Sequence, residues 1–82
     1  MSIAFEGRRH EVLLGSDVVD DGMYLELADA SDRVAGASLL VFRSDADGRM
    51  TFSGRCKDLP LEAVEWFLAE AKRRLVEAED AP

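Results

Sequence analysis

Apolar residues recur with helical spacing along the last third of the chain, between residues 58 and 78. Read at 3.6 residues per turn, they form one stripe about 120° wide, which is typical of an amphipathic helix that packs on other structure. The stripe consists of Leu61, Val64, Phe67, Leu68, Ala71, Leu75 and Ala78. The sequence therefore predicts a single C-terminal helix, in which Glu70 and Arg74 form an ion pair one turn apart.

Trp66 points almost opposite to this stripe, with Ala63 and Ala69 beside it. A large exposed aromatic ring is typical of protein interfaces, and small neighbours let a partner approach closely. We therefore expect Trp66, Ala63 and Ala69 to form part of a partner or dimer interface. The alternative is that the ring packs inside the molecule, under the N-terminal segment.

The first two-thirds of the chain alternate short apolar runs with turn-rich breaks, a pattern that indicates a strand meander. Strands are predicted at residues 10–14, 23–28, 38–43 and 50–57, with residues 3–5 forming either a separate strand or part of the first. The predicted fold is α+β: an antiparallel sheet of three or four strands with one C-terminal helix packed on one face. Residues 1–78 form a single domain, and residues 79–82 a frayed acidic tail.

A lone helix covers only one face of a sheet, so the other face is left open. The strands at 38–43 and 50–57 are predicted to form a hairpin around an Asp-Gly turn. Alternation in the third apolar run directs Met23, Leu25 and Leu27 toward the helix, and on this hairpin we expect Leu40 and Phe42 to do the same. The open face is then a half-apolar candidate binding surface. A shift of one residue in the predicted register of a strand exchanges the side chains on its two faces. The side chains predicted on the open face are Leu13, Tyr24, Leu39, Val41, Arg43, Thr51, Ser53 and Arg55.

The chain is acidic, with 17 Asp and Glu against 10 Lys and Arg and a net charge of −7. This charge repels phosphate backbones at long range and favours encounter with a basic partner. An acidic inhibitor or immunity-type protein is one function consistent with it. Single-stranded nucleic-acid binding is another alternative, because the basic side chains of the hairpin supply charge and Tyr24 nearby supplies one stacking platform. The net negative charge and the scarcity of outward aromatic residues oppose it. Those basic side chains are Arg43, Arg49, Arg55 and Lys57.

Cys56 is the only cysteine, so no intramolecular disulfide and no cysteine-rich metal site is possible. The first residues lack a basic segment followed by an apolar run, and no apolar run is long enough for a membrane span. We expect a cytoplasmic protein. The absence of Asn and Gln and the excess of Arg over Lys suggest a GC-rich bacterial genome.

No group of residues shows catalytic or metal-binding spacing. The segment 45–48 resembles part of a calcium loop, but Arg43 and Gly54 occupy positions where acidic ligands are needed. The acidic loop at Asp17, Asp20 and Asp21 is a weak candidate for a cation. His10 is the only histidine, and a catalytic pair with Cys56 has no supporting motif. The sequence thus predicts no enzyme activity, no metal and no cofactor.

Small size, an uncovered sheet face and Trp66 together favour a protein that acts by binding. We expect a non-catalytic protein-interaction module that forms a homodimer, through either the helix faces that carry Trp66 or the open sheet faces. The inhibitor or immunity-type function and single-stranded nucleic-acid binding are the alternatives.

Overall fold

A computed structural model describes residues 2–30, 37–54 and 59–80, and the sheet and helix lie within these ranges. One antiparallel sheet contains five strands in the order β1-β2-β3-β4-β5. The predicted α+β meander with one C-terminal helix is confirmed, with five strands because residues 2–5 form a strand of their own. The elements are β1 (Ser2–Phe5), β2 (Arg8–Asp17), β3 (Gly22–Asp29), β4 (Ala37–Ser44), β5 (Met50–Gly54) and α1 (Leu61–Asp80).

The separate first strand depends on a two-residue turn. Phe5 pairs with Arg8, and the two residues between them, Glu6 and Gly7, have φ angles of 49° and 77°. Positive φ at both central positions is the backbone of a type I′ turn, whose twist matches that of the flanking strands. This turn joins β1 and β2 as a tight hairpin.

The second hairpin is longer than the sequence predicts, because β2 continues through Gly15 to Asp17. The sequence pattern treats Gly15 as a break, but in the sheet it pairs with Tyr24. The following turn is held by the Asp17 carboxylate, whose Oδ1 accepts hydrogen bonds from the backbone N–H groups of Val19 and Asp20 at 3.0 and 3.1 Å. The β2–β3 turn thus carries its acidic residues at one end of the sheet.

The predicted hairpin with an Asp-Gly turn is confirmed as β4–β5. The backbone N–H of Ser44 donates to the carbonyl of Arg49 at 3.0 Å, and the N–H of Gly48 donates to the carbonyl of Ser44 at 2.9 Å. The N–H of Asp45 donates to the carbonyl of Asp21 at 2.9 Å. The two acidic turns therefore lie side by side.

Helix α1 begins directly after Pro60, whose carbonyl accepts hydrogen bonds from the N–H groups of Ala63 and Val64. It continues to Asp80, beyond the predicted end at residue 78. The predicted pair is present, with Arg74 Nε donating to Glu70 Oε2 at 3.0 Å. Among the described residues, no helix is long and apolar enough to cross a membrane.

The helix faces the sheet with a narrower row of side chains than the predicted stripe. Its fully buried residues recur at every fourth position, so they form one ridge: Ala63, Phe67, Ala71 and Leu75. Leu61, which the stripe places inward, is 71% exposed. Phe67, Ala71 and Leu75 close the core over Val12, Leu25, Leu27, Leu39 and Val41. The prediction was wrong at Leu61 and Ala63 because the buried ridge is centred roughly 40° from the centre of the predicted stripe, on the side of Ala63.

The two faces of β4 are the reverse of the prediction. Leu39 pairs with Leu27, and Val41 pairs with Leu25, so both lie under the helix and are buried. Leu40 and Phe42 lie on the open face, while Arg43 lies on the helix side between Met23 and Met50. The run of four apolar residues at 39–42 has no alternation, so the sequence does not specify which pair faces inward.

Candidate interaction surfaces

The open face of the sheet carries an apolar centre formed by neighbouring strands. Tyr24 on β3 lies opposite Phe42 on β4, and Glu26 lies between Leu13 on β2 and Leu40 on β4. Leu13 is half exposed, and the other side chains are partly exposed. Leu13, Tyr24, Thr51 and Ser53 thus lie where the sequence placed them. Leu40 and Phe42 take the positions predicted for Leu39 and Val41.

Two glycines let the aromatic rings lie against the sheet. A Cβ atom on Gly15 would lie 2.5 Å from the Cζ atom of Tyr24, and one on Gly22 would lie 2.5 Å from the Cζ atom of Phe42. Each ring therefore occupies the space above the glycine of the preceding strand. Because glycine leaves this space free, the two rings lie close against the strands and form the aromatic floor of the open face.

A groove of about 360 Å³ lies on this floor, close to the β2–β3 turn. Its apolar lining is Tyr24, Leu40 and Phe42, and its acidic lining is Asp17, Asp20 and Glu26. We refer to these six residues as the acidic groove. Such a volume is in the range of small binding sites in proteins. The groove combines apolar surface with carboxylates at its rim.

The carboxylates of the acidic groove are not neutralised within the described part of the chain. Ion pairs there involve Asp29 and Glu70, and none involves Asp17, Asp20 or Glu26. Between Asp17 and Asp20, Val18 and Val19 are each about 85% exposed. A partner that reaches the groove therefore meets negative charge and two exposed aliphatic side chains together.

A second surface lies at the edge of the sheet, beside β5. Phe52 faces the helix side of the sheet, yet it is 52% exposed because α1 does not extend over the whole strand. A groove of about 150 Å³ separates β5 from the helix. Its lining consists of Val41, Met50, Thr51, Phe52, Leu68, Ala71 and Lys72, which we call the edge groove. The edge of β5 and the edge groove form a continuous, mainly apolar surface.

The three helix residues predicted to form an interface differ in burial and do not form one exposed surface. Ala63 is fully buried, Ala69 is exposed, and Trp66 is partly buried beside the core. The rings of Trp66 and Phe5 have centroids 5.8 Å apart and a tilt of 59°. Trp66 therefore packs on the N-terminal strand, as the alternative prediction has it. The contribution of Trp66 to an interface remains a prediction.

The basic residues proposed for nucleic-acid contact do not form a patch among the described residues. Arg43 points to the helix side, and Arg49 is exposed in the β4–β5 turn. Arg55 and Lys57 lie outside the described residues, as does Cys56. The open face carries Glu11, Asp17 and Glu26 against Arg9 alone among its described strand residues. This charge does not favour a phosphate backbone.

His10 is fully buried, and neither imidazole nitrogen has a hydrogen-bond partner within the described structure. Its ring packs against Phe5 at 6.0 Å, and across the sheet it lies opposite the buried Asp29, which is paired with Arg8. A side chain so enclosed cannot reach a substrate.

No group of three or more His, Cys, Asp or Glu in the described segments could hold a metal ion, Asp17–Asp21 included.

Comparison with protein-family models, curated protein sequences and solved structures found no significant match.

Proposed function

We propose that the protein is a non-catalytic interaction module that forms a symmetric homodimer through the edge of β5. The observation that supports this proposal is the half-exposed Phe52 on an edge strand, next to an apolar groove. Edge strands offer unpaired backbone groups to another strand, and proteins commonly protect them with charges, proline or a covering element. Residues 50–54 contain neither a charge nor a proline.

The sequence of β5 suits antiparallel pairing with its own copy. With a two-fold axis at Phe52, Thr51 of one copy lies opposite Ser53 of the other, and Met50 lies opposite Gly54. A long side chain then faces a glycine, two hydroxyl residues face each other, and the two Phe52 rings meet at the centre. Such an isologous contact closes on itself and gives a dimer rather than a filament.

Charge also favours this edge over the open face. Two chains of net charge −7 repel each other, and contact between two open faces adds the carboxylates of both acidic grooves. The edge of β5 is uncharged, and Lys72 beside it carries a positive charge. Of these two surfaces, the edge of β5 therefore carries less negative charge and opposes self-association less.

Light scattering during gel filtration, at about 10 and 100 µM protein, tests the proposal. We expect a mass near 18 kDa, twice the 9.0 kDa of one chain. Phe52→Lys places a charge at the centre of the proposed contact and should give 9 kDa. Leu61→Lys is the matched control, because Leu61 is also exposed but lies outside the edge groove.

A monomeric wild-type protein at both concentrations contradicts the homodimer. Equal loss of dimer in both variants contradicts its location at β5. Circular dichroism of both variants establishes that they are folded before their masses are compared.

A further inference from the structure

We propose that the acidic groove on the open face binds a basic segment of a second protein, with an arginine or lysine side chain inserted over the aromatic floor. This surface is distinct from the edge of β5, so the proposal does not depend on the homodimer. The groove is lined by three carboxylates above an apolar floor, and it lies on the face that the helix leaves uncovered.

The aromatic floor suits the stem and head of a cationic side chain. Long basic side chains place their methylene groups against apolar surface while the charged head stays at the rim. A guanidinium or ammonium group is also attracted to the face of an aromatic ring. Tyr24 and Phe42 supply two rings, and Leu40 completes the apolar surface. The volume of about 360 Å³ has room for more than one side chain.

The carboxylates define the charge of the partner. Asp17 of β2, Asp20 of the β2–β3 turn and Glu26 of β3 line the same groove. No ion pair within the described residues neutralises them. An uncharged or acidic segment leaves these charges without compensation, whereas a basic segment pairs with them. Rim charges of this kind accelerate encounter and select the partner. Val18 and Val19 extend the contact with exposed aliphatic surface.

The probe is a blocked peptide in which arginines alternate with leucines, titrated into uniformly labelled full-length protein and followed by amide chemical shifts. We expect shifts centred on Gly15, Tyr24, Glu26, Leu40 and Phe42, and weaker binding at about 0.5 M salt because rim charges are screened. The same peptide with glutamate in place of arginine should not bind.

Two double variants with the same change of net charge locate the site. Asp17→Asn with Asp20→Asn removes two carboxylates from the groove, and binding should weaken about three- to tenfold. Asp45→Asn with Asp47→Asn removes two carboxylates from the neighbouring turn, outside the groove, and binding should not change. The pairs are matched, since Asp17 and Asp47 each accept a backbone hydrogen bond that asparagine can also accept.

Four results would overturn the proposal: no shifts up to millimolar peptide, shifts centred on the helix, equal weakening in both double variants, or equal binding of the glutamate peptide. The mass measurement tests separately whether the homodimer forms. Its result does not change the peptide-binding results expected here.

Discussion

At the scale of single residues, His10 is the least satisfied polar group in the described core. A neutral imidazole has one donor and one acceptor, and burial without partners costs about 1–3 kcal/mol. Both nitrogens of His10 are buried and unpaired within the described residues, and the ring contact with Phe5 supplies only apolar packing. His10 therefore lowers stability relative to an apolar residue of similar size.

His10→Leu should raise the free energy of unfolding by about 1 kcal/mol, because it removes two unpaired polar atoms while nearly preserving volume. Urea denaturation of the wild type and the variant measures the difference. His10→Gln retains polar atoms at the same position and should give no gain. A clear loss of stability in His10→Leu would show that the imidazole has a polar partner.

The two glycines beneath the aromatic floor should differ in their tolerance of a methyl group. Gly22→Ala places Cβ 2.3 Å from the carbonyl oxygen of Arg43, a backbone atom, so we expect a loss of about 1–3 kcal/mol. Gly15→Ala meets only the far end of Tyr24, whose ring can move, so we expect a loss below about 1 kcal/mol. Denaturant midpoints of both variants check this order. A greater loss in Gly15→Ala contradicts it.

At the scale of elements, the buried ridge of α1 determines how closely the helix approaches the sheet. Ala71 packs in the core beside Phe67 and Leu75, and Ala63 is buried one turn before Phe67. This arrangement also turns Trp66 toward Phe5.

Ala63→Leu should lower the free energy of unfolding by about 1–3 kcal/mol, because the site has no room for three more carbon atoms. Ala69→Leu makes the same chemical change at an exposed position and should stay within about 0.5 kcal/mol of the wild type. Thermal and urea unfolding compare the two. Equal losses of stability in the two variants would mean that Ala63 does not lie on the buried side of the helix.

The sequence predicts some elements better than others for physical reasons. Met23, Leu25 and Leu27 alternate with polar or half-exposed residues, so the faces of β3 were predicted correctly. The faces of β4 were not, because residues 39–42 are all apolar. Packing of Trp66 on the N-terminal strand was predicted only as the alternative, because helical periodicity carries no information on contacts between distant parts of the chain. The exposure of Phe52 depends on where α1 crosses the sheet, so the sequence alone could not predict it.

At the scale of the whole molecule, one helix is too small to cover five strands. It leaves the open face and the edge of β5 uncovered, and the two surfaces differ in charge. In the proposed dimer the two copies join at the uncharged edge, and the acidic groove stays accessible to a basic partner. A dimer joined at β5 thus presents two acidic grooves.

An isotope-filtered nuclear Overhauser experiment on a mixture of labelled and unlabelled wild-type protein tests the proposed homodimer most directly. It detects only contacts between different copies. We expect contacts from Met50 of one copy to Gly54 of the other, and between the two Phe52 rings. Intermolecular contacts from Leu40, Phe42 or Trp66 instead, or none at 100 µM and above, would contradict a dimer joined at β5.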